Sequence, residues 1–221
     1  MNRWIGILVG VGLIGILAVS GWLVWTRRTQ PGDTYGPSRV LSAAPDTAGF
    51  TRADGPRSFD LPADFGPHPD YQTEWWYYTG NLRTSGGRAF GYQLTFFRRA
   101  LTPSSDTSDR PSDWATNQVY MAHFALTDVS ANSHHAFERF SRGAASLAGA
   151  SSFPYHVWLE DWYVEQVDQD PGTVEMRAAQ DDVTIDLILT DTKGPILQGD
   201  EGYSQKGPDP GNASYYFSQT R

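Results

Sequence analysis

The sequence predicts an all-β domain, a barrel or sandwich, preceded by one N-terminal transmembrane helix. Aromatic and β-branched residues recur in short runs, and Gly, Pro, Asn and Asp separate those runs. No run beyond residue 28 keeps the helical spacing of apolar residues. The clearest strand period lies in residues 183–190, where Val183, Ile185, Leu187 and Leu189 alternate with mostly polar neighbours. Short strands separated by turns are typical of barrels and sandwiches.

Residues 4–25 carry no charged side chain and hold Trp4, Trp22 and Trp25 near their ends. As a helix this segment is roughly 33 Å long, enough to cross a hydrocarbon core of about 30 Å. A cleaved signal peptide is the alternative, but no small-x-small cleavage site closely follows Trp25. We therefore predict an uncleaved anchor at residues 1–28. Arg3 precedes the uncharged segment, and Arg27 and Arg28 follow it, so the positive-inside rule leaves the orientation of the anchor open.

Residues 29–57 are rich in Pro, Gly, Ser and Thr, which predicts a linker before a folded domain at residues 58–221. The net charge of -8 argues against a nucleic-acid partner, because binding to phosphates needs clustered Lys and Arg. The sequence has no cysteine, which excludes disulfides, thiolate metal ligands and a thiol nucleophile.

The first predicted hairpin contains four consecutive aromatics, Trp75, Trp76, Tyr77 and Tyr78, and turns at residues 85–87 into a second strand at 88–99. Neighbouring side chains in a strand point to opposite faces, so aromatics lie on both faces of the first strand. This suits a core on one side and an apolar ligand, a second domain or a partner on the other. Ordinary packing on both faces is the alternative.

The remaining predicted elements follow in order along the chain. We expect a long polar loop at 102–113, strands at 119–127 and 134–140, a loop or short helical turn at 142–152, and strands at 157–164, 174–178, 183–190 and 213–220. A single strand at 157–164 places Trp158, Glu160 and Trp162 on one face. A final strand without a following partner leaves an apolar edge, so we expect the domain to be truncated at its C-terminal end.

Three residues are candidate catalytic groups: Glu74, His123 and Glu160. Burial of Glu74 on an apolar face would raise the pKa of its carboxyl group and suit it to acid catalysis, whereas an ion pair with Arg98 or Arg99 would make it structural. His123 lies between apolar neighbours, where a hydrogen-bonded core histidine is the alternative. Glu160 and its neighbour Asp161 point to opposite faces of a strand and cannot act as a pair without a bulge.

The sequence lacks the motifs of several other common kinds of site. His134 and Glu138 share a strand face, but two ligands do not complete a zinc site, so we expect no metal. The nucleophile-elbow pattern Gly-x-Ser-x-Gly, the phosphate loop and the dinucleotide fingerprint are all absent, so we expect no cofactor.

The sequence resembles the AttH-like and carotenoid hydratase (CrtC-type) family. The matching stretches are residues 68–82, 90–99, 117–128, 137–142, 158–162 and 202–207. The resemblance implies a lipocalin-like β-barrel or sandwich, the first of two such domains, together with export or membrane association and apolar ligands. In carotenoid hydratases it places acid catalysis mainly in the second half, on a motif like Trp-x-Asp-His-Glu-Trp-Gly, which this sequence lacks. The family also includes secreted hydrolases and transporter-associated proteins.

Three functions fit these observations. The first is a membrane-anchored protein on the periplasmic or external side that binds a lipid or isoprenoid, as an accessory to lipid or lipoprotein transport with a transporter partner. The second is the N-terminal half of a hydratase or hydrolase acting on an isoprenoid, whose acid residues lie in a second lipocalin-like domain. The third is a structural docking domain. The expected ligand-binding residues are Trp75, Trp76, Tyr77, Tyr92, Phe96, Trp158 and Trp162.

Overall fold

The computed structural model describes residues 47–103 and 112–220, and its described part is built from antiparallel β-sheets. The predicted anchor and the first part of the predicted linker lie outside these residues. Within the described residues no helix has the length and apolar character that a bilayer crossing requires. The one helical element described is a short 3₁₀ turn, Ala63–Phe65.

Nine strands form two consecutive meanders. The first sheet contains β1 (Thr73–Arg83), β2 (Ala89–Ala100), β3 (Gln118–Asp128) and β4 (Ser133–Arg142), in the order of the chain. The second contains β5 (Ala148–Ser152), β6 (Tyr155–Leu159), β7 (Trp162–Gln166), β8 (Thr173–Gln180) and β9 (Val183–Thr190). Within each sheet every strand pairs antiparallel with the next. The connections are short turns, except that residues 101–117 join β2 to β3.

The two sheets pack face to face as a sandwich, which is the second of the two predicted architectures. Their inner faces share one core cluster, because the alternate residues of each strand that point inward are apolar. Its central side chains have no solvent exposure and fill the space between the sheets: Leu94, Phe96, Ala122, Phe124, Val157, Leu159, Trp162, Val164, Met176 and Ala178. A ligand cannot share that space without displacing close-packed side chains.

Two predicted elements between residues 142 and 164 are wrong. Residues 148–152, expected in a loop or helical turn, form strand β5. The single strand expected at 157–164 is a tight hairpin, in which β6 and β7 are joined by Glu160 and Asp161. Glu160 has a φ of 57°, the left-handed conformation of a turn residue. The sequence did not indicate this turn, because Glu160 and Asp161 lie within a run of aromatic and aliphatic residues that contains no Gly, Pro or Asn.

The C-terminal residues form two short ribbons instead of one strand. Residues 213–220 divide at Tyr216 into β12 (Ala213–Tyr215), which pairs with β11 (Tyr203–Gln205), and β13 (Phe217–Ser218), which pairs with β10 (Ile196–Leu197).

The same region contacts residues from the predicted linker. Thr51 forms a bridge to Tyr71, and the Tyr215 hydroxyl donates to the carbonyl of Gly55 at 2.8 Å. Residues 51–55 therefore pack on the domain.

Candidate functional site

The first hairpin presents aromatic side chains on the outer face of the first sheet. In the register of β1 and β2, Trp75 lies opposite Phe97 and Tyr77 opposite Thr95. Trp75 is 40% exposed and Tyr77 is 54% exposed, whereas Trp76 between them is buried in the core. The alternation of strand side chains thus separates the four consecutive aromatics into an inner pair and an outer pair.

The outer row continues across all four strands. Phe97 lies opposite Met121 on β3, and Met121 lies opposite Phe140 on β4. Side chains directly opposite on neighbouring strands are close enough to pack on one another. We call these outer side chains the aromatic face; it consists of Trp75, Tyr77, Phe97 and Phe140, together with Met121, which is buried between its neighbours.

His123 lies at the polar margin of this face and not in the core. Its Nε2 is 3.0 Å from the Oε2 atom of Glu138, and its ring lies edge-on to Phe97 with 5.5 Å between the centroids. Glu138 is exposed, so this is a surface pair of small energetic weight.

The Glu74 side chain points to the inner face of β1, where it contacts Arg98. Its Oε2 accepts from Arg98 Nε at 3.1 Å and from the His68 backbone amide at 3.0 Å. The Arg98 side chain is almost fully buried, and it donates further hydrogen bonds to the Gln118 side chain and to the carbonyls of His68 and Tyr71, each at 2.8 Å. The structure thus places Glu74 in an ion pair with Arg98, one of the two alternatives.

His68 connects Glu74 to a second carboxylate. Its Nδ1 lies 2.6 Å from Glu74 Oε1, and its Nε2 lies 2.8 Å from Asp64 Oδ1. Arg57 in turn donates to Asp64 Oδ2 at 3.0 Å. The hydrogen bond to Glu74 raises the pKa of His68, an effect that burial opposes and Asp64 reinforces. The pKa of Asp64 is lowered, because hydrogen bonds from His68, Asp60 and Arg57 outweigh the cost of its burial.

This network is suited to structure more than to proton transfer. Both ring nitrogens of His68 face carboxylates, so the protonated imidazolium satisfies both neighbours and has no free nitrogen to act as a base. Both oxygens of Glu74 are likewise occupied, Oε1 by the His68 ring and Oε2 by Arg98. We name Glu74, His68, Asp64, Arg57 and Arg98 the charge network; it fixes the entry of the chain into β1.

Glu160 and Asp161 point the same way, contrary to the prediction of opposite faces. Because they lie in a turn, both reach Arg139 on β4: Glu160 Oε2 is 3.3 Å from the guanidinium, and Asp161 makes a closer ion pair. Arg139 also bonds to Gln180 and lies 4.3 Å above the ring of Trp162. The two carboxylates thus join the sheets through Arg139.

The seven predicted ligand-binding residues divide among three places. Trp75 and Tyr77 lie on the aromatic face. Trp158 lies on the outer side of the second sheet, stacked on His156 with 4.4 Å between ring centroids. The others point into the sandwich: Trp76, Tyr92, Phe96 and Trp162.

Sequence reasoning missed several residues of these two sites. Phe97, Met121 and Phe140 join the aromatic face only through strand register, which the sequence does not specify. His68 begins the matching stretch 68–82 and Asp64 precedes it, but the sequence indicated no role for either side chain. Among the described residues, no group of three or more His, Cys, Asp or Glu side chains could hold a metal ion.

Comparison with known proteins gives a family and one informative structure. The family model described as AttH-like matches residues 52–221. A crystal structure of a protein from Nitrosomonas europaea, provisionally named AttH, is 33% identical and superposes with a TM-score of 0.65. The match covers 77% of this chain and 49% of that one, so this chain spans about half the length of its neighbour. No curated protein matches. The chain belongs to the AttH-like family.

Proposed function

We propose that this protein is a membrane-anchored, exported binding protein for an elongated apolar molecule, a lipid or an isoprenoid, and that the aromatic face is its contact surface. The carrying observation is the exposure of Trp75 and Tyr77 beside Phe97 on a sheet whose inner face already has its core. Burying apolar area is favourable by about 25 cal/mol per Å², and large aromatic side chains that stay exposed do not gain this free energy. A ligand that covers them does gain it.

The filled sandwich supports an external contact surface. Phe96 and Trp162 have no solvent exposure, so neither reaches a ligand without repacking of the core. Trp75 and Tyr77 need no such change. The charge network holds the start of β1 rigidly, which lowers the entropic cost of ordering these side chains around a ligand.

A flat face covers only one side of a long apolar chain. Good small-molecule sites bury most of the ligand surface, so a second layer is needed. The Nitrosomonas europaea chain is about twice as long as the matched region, which supports a second lipocalin-like domain as that layer. A transporter that hands over or receives the lipid could approach the same face.

Titration of the full-length protein with oleate and with a carotenoid, followed by tryptophan fluorescence, tests the proposal. Tyr77→Ala and Phe97→Ala keep every tryptophan as a reporter, and each variant should weaken binding roughly five- to tenfold through lost contact area. Phe153→Ala is the matched control, since Phe153 is 67% exposed and lies outside the aromatic face. Its affinity should equal that of the unchanged protein.

Two results would contradict the proposal. One is an unchanged fluorescence signal at saturating probe in folded protein. The other is equal weakening by Tyr77→Ala and Phe153→Ala, which would indicate nonspecific adsorption. If the aromatic face instead serves only to dock a protein domain, neither probe binds, and the docking-domain function replaces the binding function.

A further inference from the structure

A cavity lies at one end of the sandwich, away from the aromatic face and the charge network. Its volume is about 360 Å³, within the range of small-molecule sites. It forms where β2 begins, β3 ends and β4 begins, opposite the turn between β8 and β9. We call it the mouth cavity. Its apolar lining comes from Phe90, Leu126, Ala131 and Val183.

One rim of the mouth cavity carries an ion pair that is already complete. Arg88 donates a short hydrogen bond to Asp128, and its guanidinium lies 5.0 Å from the centroid of the Phe90 ring. Asp128 also accepts the backbone amides of Ser130 and Ala131, each at 3.0 Å. The hydrogen bond from Arg88 lowers the pKa of Asp128, so its carboxylate stays charged and the pair adds no net charge.

On the opposite rim, the carboxylate of Asp182 has no charged partner among the described residues. Asp182, in the turn between β8 and β9, lines the mouth cavity, and its carboxylate has neither a hydrogen bond nor an ion pair within the described part of the chain. Its neighbour Asp181 has its Oδ1 bonded to Gln180 and does not line the cavity. His135 on the rim is hydrogen-bonded to the Ser133 hydroxyl at 3.0 Å.

From this arrangement we infer that the mouth cavity binds a small organic cation with an apolar body, with its ammonium group at Asp182 and its body on Phe90, Leu126 and Val183. An apolar pocket beside one unpaired carboxylate selects against carboxylate ligands by repulsion and favours ammonium ligands by attraction. The net charge of -8 acts in the same direction at longer range.

Three probes with the same body and different head groups test the inference: 3-phenylpropylammonium, 3-phenylpropanol and 3-phenylpropanoate. Calorimetric titration of the full-length protein should give the tightest binding for the ammonium probe and at least about tenfold weaker binding for the carboxylate. Asp182→Asn should reduce the affinity of the ammonium probe to that of the alcohol. Ala131→Trp, which fills the cavity, should weaken all three probes.

Asp181→Asn is the matched control, because it removes the same charge one residue away and outside the lining. It should keep the preference for the ammonium probe, after circular dichroism has shown that all variants are folded. If Asp181→Asn and Asp182→Asn weaken binding of the ammonium probe equally, the effect comes from overall charge, and the assignment of Asp182 as the ammonium site is wrong. Equal affinity for the three head groups, or no binding of any probe at millimolar concentration, would also overturn the assignment.

Discussion

Replacing Glu74 with Gln removes one charge from the charge network while keeping the volume of the side chain and one acceptor oxygen. The buried guanidinium of Arg98 then loses its carboxylate and keeps only neutral acceptors: the Gln118 side chain and the carbonyls of His68 and Tyr71. The Arg98 side chain is 2% exposed and that of Glu74 is 15% exposed, so water compensates little.

Breaking a buried ion pair by removing one partner costs about 3–5 kcal/mol. Because Gln retains an acceptor for Arg98 or for the His68 amide, we expect the lower end, about 3 kcal/mol. For a domain of this size that loss lowers Tm by roughly 6–12 °C. Thermal unfolding of the full-length protein, monitored by circular dichroism, measures the shift.

Glu138→Gln is the control, since it removes a carboxylate that also faces a histidine but is exposed. Its stability should change by no more than about 0.5 kcal/mol. A Tm for Glu74→Gln within about 2 °C of the unchanged protein would refute the reasoning, because it would mean that the pair contributes no more than a surface salt bridge.

Three further predictions concern single contacts. The stability that protonated His68 contributes is fully present below the ordinary histidine pKa of about 6.5 and is lost as pH rises through the raised pKa of the folded state. His68→Gln should therefore flatten the fall in the free energy of unfolding above pH 6.5, measured by urea unfolding. An equally steep fall in the variant would contradict this. Arg139→Ala should lower the free energy of unfolding, measured in urea, by about 2–3 kcal/mol. Arg139→Lys should lower it less, because Lys keeps the charge but not the several contacts of the guanidinium. Equal stability of Arg139→Ala and the unchanged protein would contradict this. Gly149→Ala should cost about 1–3 kcal/mol and alter the near-ultraviolet circular dichroism, since the new methyl would lie 2.5 Å from the Trp158 ring. Gly86→Ala is the control and should be neutral, because its new methyl would make only an ordinary contact, 3.8 Å from the Thr84 hydroxyl oxygen.

Strand periodicity predicted most of the first sheet correctly. The hairpin of β1 and β2, strand β3 and the returning β4 follow from alternating apolar residues between turn signals, and β9 follows from its clear period of two. The failures have two causes. A tight turn without Gly, Pro or Asn, as at Glu160–Asp161, leaves no local signal. Small residues such as those of β5 also look like a loop until a sheet pairs them.

The candidate site was predicted less well, because facing and register decide it. By itself the sequence determined the all-β class, the alternation that sets Trp75 and Tyr77 apart from Trp76, and the family, since these depend on local pattern and on motif order. Only the tertiary structure decided that Trp76, Phe96 and Trp162 belong to a filled core, that Glu74 pairs with Arg98, and that Asp182 stands unpaired beside the mouth cavity. Those outcomes depend on which distant residues come together, and a side chain's neighbours across a sandwich leave no trace in its own stretch of sequence.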